Sequence, residues 1–304
     1  SSWGVFYHPL SQSFFKNISQ ANFKEMGFSQ NEIVSITGHK DGSIWMIVEY
    51  ASLFKYDPQT EKLMKMPLQR DNSQNIYLQY IEKSHNPKYL YIGTNHGILV
   101  YNIDTQTTKR LQSVQSAKAY NLDVSIANMH EDGSGRLWVG TWGHGVFCID
   151  QPLTAPAIAF HLSTQTDPAI LSNKISQLFI HKNSLFLCTT NGLNRLTLTD
   201  TGNIKTLSSY QTDETSPATS LSTNYLASID CENDSVCWIG TIGGGLNKVV
   251  LHSEQNNDYT ATHYTTKDGL INNDCEIVLL DQSGNVWIGG NEMAQFDISK
   301  NKIY

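Results

Sequence analysis

Trp142, set among small residues in Thr141-Trp142-Gly143-His144-Gly145, is the side chain in this sequence best suited to stack on the flat face of a small polar ligand. A packing role, covering the edge of a neighbouring element, is the alternative. His96 and His144 each precede a glycine in matching turns, and two imidazoles suit acid–base work or a metal. No third ligand is spaced with them, so no metal site is expected. Asn95, Asn291 and Glu292 bring amide and carboxylate groups to the corresponding turns. Asn31, Asn173, Asn224 and Asn273 recur at the start of strands, where capping hydrogen bonds are the expected role. Cys231 and Cys237 lie six residues apart across a predicted hairpin, where they either form a disulfide or stay as buried thiols. The five cysteines contain no C-x-x-C pair, and nucleophile-elbow, phosphate-loop and zinc-protease motifs are absent. No catalytic residue and no cofactor is therefore assigned.

A repeated strand pattern must position these residues. Apolar-Trp-apolar-Gly-Thr followed by a Gly-rich turn and a second apolar strand occurs at Leu137–Thr141, at Cys237–Thr241 and, with variations, around Trp45, Tyr91, Phe186 and Trp287. The anchoring aromatics are spaced by 46, 47, 48, 52 and 49 residues, which marks six copies of one unit of roughly 48 residues. Each copy reads as four strands, with turns such as Asp132-Gly133-Ser134-Gly135 and Asp281-Gln282-Ser283-Gly284 between the first and second. Sustained helical periodicity is missing. Such units bury their apolar faces only against one another, so the expected fold is all-β, a β-propeller of four-stranded blades occupying residues 1–304 as a single domain. The aromatic that recurs in every unit is then a core residue, with Trp45, Trp138, Trp238 and Trp287 expected in equivalent buried sites. Gly4-Val5-Phe6-Tyr7 matches Gly145-Val146-Phe147-Cys148, so residues 1–20 are read as the outer strands of an incomplete blade. Six complete repeats plus that half blade lead to the expectation of a fragment of a seven-bladed or double propeller.

Composition narrows the partners. Only 16% of residues are charged and the formal net charge is −7, with the 21 Lys and Arg scattered, which disfavours nucleic acid. No apolar run approaches the ~20 residues that cross a bilayer. The turns between second and third strands differ from blade to blade while the strand core repeats, and variation on a regular scaffold marks a binding face. A small polar ligand is expected there.

Lys267-Asp268-Gly269-Leu270-Ile271-Asn272-Asn273, continuing through Asp281 to Gly289, resembles the regulator-propeller repeat of bacterial two-component sensors. Leu137 to Asp150 resembles it equally, and the likeness extends more loosely over nearly the whole chain. The resemblance implies a periplasmic sensor module of a membrane-spanning histidine kinase, hybrid regulator or diguanylate cyclase, often responding to oligosaccharides. It implies as partners the remaining propeller and β-sandwich parts of a parent protein, a membrane reached only through that parent, and a homodimer as one arrangement. A periplasmic location would permit a Cys231–Cys237 bridge. Two other classes stay open: an enzyme like the streptogramin-lyase propellers, in which His96 and His144 would act, and a protein-interaction scaffold. The second is disfavoured because the repeat itself lacks the Gly-His and Trp-Asp signatures of WD repeats.

Overall fold

Short runs of alternating apolar residues, each closed by an Asp-, Asn- or Gly-bearing turn, form hairpins that are marginal alone and must stack to bury their faces. The computed structural model describes residues 5–7, 16–18, 32–69, 75–111, 122–199, 201–253, 257–290 and 292–304. By contacts the chain divides into two compact units, residues 1–131 with 153–156, and residues 132–152 with 157–304.

In the first unit β1 (Val5–Tyr7) pairs antiparallel with β2 (Lys16–Ile18). A sheet of β3 (Ile33–Gly38), β4 (Ile44–Val48), β5 (Ser52–Asp57) and β6 (Lys62–Met66) follows, then one of β7 (Leu78–Lys83), β8 (Tyr89–Thr94), β9 (Gly97–Asn102) and β10 (Thr107–Arg110). Strand β11 (Ile126–Glu131) ends the unit. The second unit holds β12 (Leu137–Thr141), β13 (Val146–Asp150) and β14 (Ala157–Leu162), then the sheet β15 (Ile175–His181), β16 (Ser184–Thr189), β17 (Gly192–Leu198) and β18 (Ile204–Tyr210). Next come β19 (Leu226–Cys231), β20 (Val236–Thr241), β21 (Leu246–Ser253) and β22 (Asp258–Tyr264), and last β23 (Ile277–Leu280), β24 (Asn285–Gly289), β25 (Met293–Asp297) and β26 (Lys302–Ile303). With the order β11-β12-β13-β14, six four-stranded antiparallel sheets succeed one another in chain order. The fold is an all-β propeller with six such blades. Among the described residues the helical content is one 3-10 turn, Thr266–Asp268.

For Trp45, Trp138 and Trp238 the aromatic is covered by the blade that follows it. Trp45 on β4 packs with Ile81, Leu90 and Ile92 of the second blade and lies 5.8 Å from the Tyr101 ring. In the second unit Trp138 packs with Leu178, Leu185 and Leu187, and Trp238 with Val278, Val286 and Phe296. All three indoles are fully buried. Truncating one to Ala would cost about 3–5 kcal/mol.

Trp287 departs from the expectation, being only half-buried. It is cross-strand from Leu279, beside the Ile277–Gly289–Met293 row, so these side chains share one face of the β23–β26 sheet. On that face Ile277, Leu279 and Met293 are 62%, 57% and 54% exposed. Among the described residues the second unit has no further sheet against this face, and the burial of the other indoles depended on such a sheet.

Candidate functional site

In four blades the turns between second and third strands are built alike and carry unlike side chains. The Thr that ends the second strand donates from Oγ1 to a glycine carbonyl: Thr94 to Gly97 at 2.9 Å, and Thr141 to Gly145, Thr189 to Gly192 and Thr241 to Gly245 at 2.8 Å. The same oxygen accepts from the turn's own backbone, from His96 N at 3.0 Å, His144 N at 2.9 Å and Asn191 N at 3.0 Å. The hydroxyl thereby sets the residue before the glycine at one position in these three blades. Gly145 has φ +75°, and a Cβ there would strike the Leu162 carbonyl. Only glycine combines this left-handed backbone with that close approach.

The recurring asparagines lock these turns. Asn173, Asn224 and Asn273 accept at their carbonyls from Gly145, Gly192 and Gly245, at 3.0, 2.8 and 2.8 Å. Their side-chain oxygens accept from Thr164 N, Thr212 N and Thr266 N at 2.9, 2.8 and 3.0 Å. The capping role expected from the sequence is the one observed; Asn31 lies outside the described residues.

In the first unit, both ends of the Asn95 amide are engaged by backbone. Its Oδ1 accepts from Tyr77 N at 2.7 Å and its Nδ2 donates to the Asn75 carbonyl at 3.0 Å. Its position therefore orders the loop that presents Tyr77, which is itself exposed. His96 Nδ1 lies 2.9 Å from Asp123 Oδ1, and Arg110 is 2.9 Å from the same oxygen while also donating to the His96 carbonyl at 2.7 Å. A carboxylate only accepts, so Nδ1 carries the proton and Nε2 of a neutral ring is left as an acceptor. Asp123 and Arg110 were not legible as partners of His96, because one lies in a loop and the other on β10.

In the second unit, Trp142 is 45% exposed, and its backbone bridges to Lys174. The bridge ties the turn to the next blade's edge, while the indole stays open to solvent. His144 is exposed as well, and its carbonyl is 2.8 Å from His161 Nε2, whose ring stacks on Phe147 at a centroid distance of 4.4 Å. Glu292 lines a separate cavity of about 320 Å³ with Leu270, Ile271, Asn272, Asp274 and Cys275. Neither Trp142 nor His144 lines that cavity. Asp274, which sequence reasoning passed over, reaches back to accept from Gly243 N of the preceding blade's turn at 2.7 Å. Asn291 lies outside the described residues.

Cys231 and Cys237 face each other in the β19–β20 register and are joined in a disulfide. Cys148, Cys188 and Cys275 are buried free thiols, and burial pushes the Cys275 thiol up to about 11. Among the described residues no group of three His, Cys, Asp or Glu side chains is placed to hold a metal. None of their helices is long and apolar enough to cross a membrane.

Residues 121–143, a segment that includes β11, β12 and Trp142, match the family model described as two component regulator propeller. The chain carries a regulator-propeller repeat. No curated protein matches the sequence. Among solved structures, the chain is similar to the extracellular domain of a hybrid two component system from B. thetaiotaomicron, at 18% identity over all of this chain and 52% of that one, with a TM-score of 0.48. A second such domain from the same organism gives 21% identity, coverage of 89% and 40%, and a TM-score of 0.52. A catalytically inactive virginiamycin B lyase from Staphylococcus aureus, solved with quinupristin, gives 15% identity, coverage of 90% and 83%, and a TM-score of 0.64. At such identities the shared property is the propeller fold. The chain spans about half the length, 52% and 40%, of the two extracellular domains.

Proposed function

We propose that this chain is the ligand-sensing, non-enzymatic part of a bacterial two-component signalling protein, placed outside the cytoplasm. In this reading a small polar ligand, a carbohydrate in the first instance, is held by the turns between second and third strands. The observation that carries the proposal is the exposed Trp142 indole, mounted on a turn whose hydrogen bonds recur in other blades while its side chains do not. A rigid scaffold with variable turns is how recognition is grafted onto a regular fold, and an exposed indole supplies a stacking surface at low entropic cost. The family match supports a signalling role, since the matched segment reaches Trp142 and Gly143 of this turn. The Cys231–Cys237 disulfide supports an oxidising compartment such as the periplasm. The output, whether a kinase, a hybrid regulator or a cyclase, would belong to other parts of the parent protein.

A thermal-shift and calorimetric screen of the protein against oligosaccharides tests the proposal, because a ligand that binds only the folded state raises the melting temperature by mass action. Trp142→Ala is expected to weaken binding of the responding sugar about tenfold or more, the loss of one stacked aromatic. Affinity unchanged in both Trp142→Ala and His144→Ala would place the ligand elsewhere.

A further inference from the structure

The exposed aromatic side chains of the first unit start from adjoining backbone. Among the described residues of that unit they are Tyr50 and Tyr77, 39% and 53% exposed. Tyr50 lies in the turn from β4 to β5, and its carbonyl accepts from Leu78 N at 2.7 Å, next to Tyr77. On its other side Tyr77 is held by Asn95 of the β8–β9 turn, whose Oδ1 accepts from Tyr77 N at 2.7 Å and whose N donates to the Tyr77 carbonyl at 3.2 Å. His96 follows in the same turn, with Nδ1 engaged by Asp123 and Nε2 left as an acceptor.

Turn chemistry does not account for a tyrosine at position 50. The Val48 carbonyl accepts from Ala51 N at 3.1 Å around Glu49 and Tyr50, whose φ angles are +52° and +54°. A turn with both central residues left-handed favours Asn-Gly, because a Cβ in that region crowds the following carbonyl. In the corresponding turns of the second to fifth blades every left-handed residue is a glycine: Gly97, Gly143, Gly145, Gly192, Gly243 and Gly245. The first blade keeps a large ring there instead and leaves much of it in water, so burial offsets only part of the strain. Strain of this kind concentrates at ligand sites. Partial burial, and then the Glu32 carboxylate beside it, raise the Tyr50 hydroxyl above the ordinary phenol value, which keeps it a neutral donor.

We propose that Tyr50 and Tyr77 form a stacking platform for a sugar ring, with His96 Nε2 accepting from one of its hydroxyls. The platform presupposes the carbohydrate sensing proposed above, and it adds to the Trp142 turn of the second unit a separate contact carried by the first. A phenol ring offers a flat apolar face to the C–H side of a pyranose and a polar tip to its hydroxyls. Because hydrogen bonds and the turn backbone already fix both tyrosines at their Cα atoms, little ordering entropy remains to be lost on binding.

Calorimetric titration of the whole chain with hexasaccharides of glucose, mannose, xylose and galactose, with the melting temperature of each variant measured alongside, tests the proposal. Tyr50→Gly is expected to weaken binding of the responding hexasaccharide about threefold to tenfold without lowering the melting temperature, because glycine relieves the left-handed backbone. Tyr77→Ala is expected to weaken it to a similar extent. A Tyr50→Gly protein that melts lower than the unaltered one would assign the ring to packing and overturn the platform. Binding that falls in Trp142→Ala but is unchanged in both tyrosine variants would also overturn it, while leaving the carbohydrate reading in place. Binding of none of the four hexasaccharides to the unaltered protein would overturn both.

Discussion

Asp132 shows how much one turn residue carries. Its Oδ1 accepts from Ser134 N and Arg136 N, closing the turn, while Oδ2 accepts from the Trp138 indole at 2.9 Å and from Arg136. Burial by itself would raise this carboxyl, but the hydrogen bonds from Arg136 and Trp138 outweigh it and hold it below the ordinary carboxylate value. A depressed folded value means that the stabilisation is fully present above the unfolded value, near pH 4, and is lost as pH falls through the folded one. Asp132→Ala is expected to cost about 3–5 kcal/mol in urea unfolding at pH 7, because it leaves Arg136 buried without its carboxylate. Glu82 behaves in the opposite sense. Burial, with Glu131 nearby and Lys83 opposing, pushes its carboxyl up to about 8. A carboxyl raised on folding binds a proton that the unfolded chain releases, so stability falls as pH rises from about 4 towards 8. Glu82→Gln is expected to raise stability at pH 8 by about 1–2 kcal/mol and to flatten that slope; an unchanged slope would show that Glu82 ionises freely in the fold.

At the scale of elements, turns set what a blade presents. The hydroxyl-to-carbonyl bond of Thr141 and the left-handed Gly145 place Trp142 and His144 without any contribution from their own side chains. Gly145→Ala is therefore expected to destabilise by more than about 2 kcal/mol, through strain and collision with the Leu162 carbonyl. Gly133→Ala, with open space and no positive φ, should change little. Differential scanning calorimetry of the pair would separate a close-approach requirement from simple turn propensity. The β19–β20 hairpin carries the disulfide, which closes a short loop. Replacing both cysteines by Val, or reducing the bond, is expected to cost no more than about 2 kcal/mol, since a loop of this length saves little chain entropy.

For the molecule as a whole, stability is a chain of nearest-neighbour interfaces, as in other repeat architectures. Within the second unit the β19–β22 sheet is covered on both faces, by a cluster containing Phe186 and Cys188 on one side and by Val278, Val286 and Phe296 on the other. The β23–β26 sheet is covered on one face, with Ile277, Leu279 and Met293 exposed on the other. Native-state hydrogen exchange is accordingly expected to be faster in β24 than in β20, the equivalent strand, by the difference of one sheet interface. Equal protection in the two strands would mean that something else covers the Trp287 face.

The repeat was legible from residue types alone, because a 48-residue period in aromatics, glycines and turn acids reflects a packing need common to every blade. The strands, their antiparallel order and the burial of Trp45, Trp138 and Trp238 follow from that local pattern. The roles of single side chains outside it did not. Asn95 and Asn273 are the same residue type, yet one orders the Tyr77 loop and the other caps the preceding blade's turn, a difference set by which carbonyls and amides packing brings near. Trp287 carries the same motif as Trp238 and differs in burial, because burial belongs to the neighbouring sheet and not to the residue. The hydrogen bond from Leu78 N to the Tyr50 carbonyl sets Tyr50 and Tyr77 on adjoining backbone, and no spacing rule in the sequence announces it. Sequence alone determined what each blade is; the tertiary structure decided what each blade meets, since hydrogen bonds, charge pairing and exclusion of water all depend on groups that are distant along the chain.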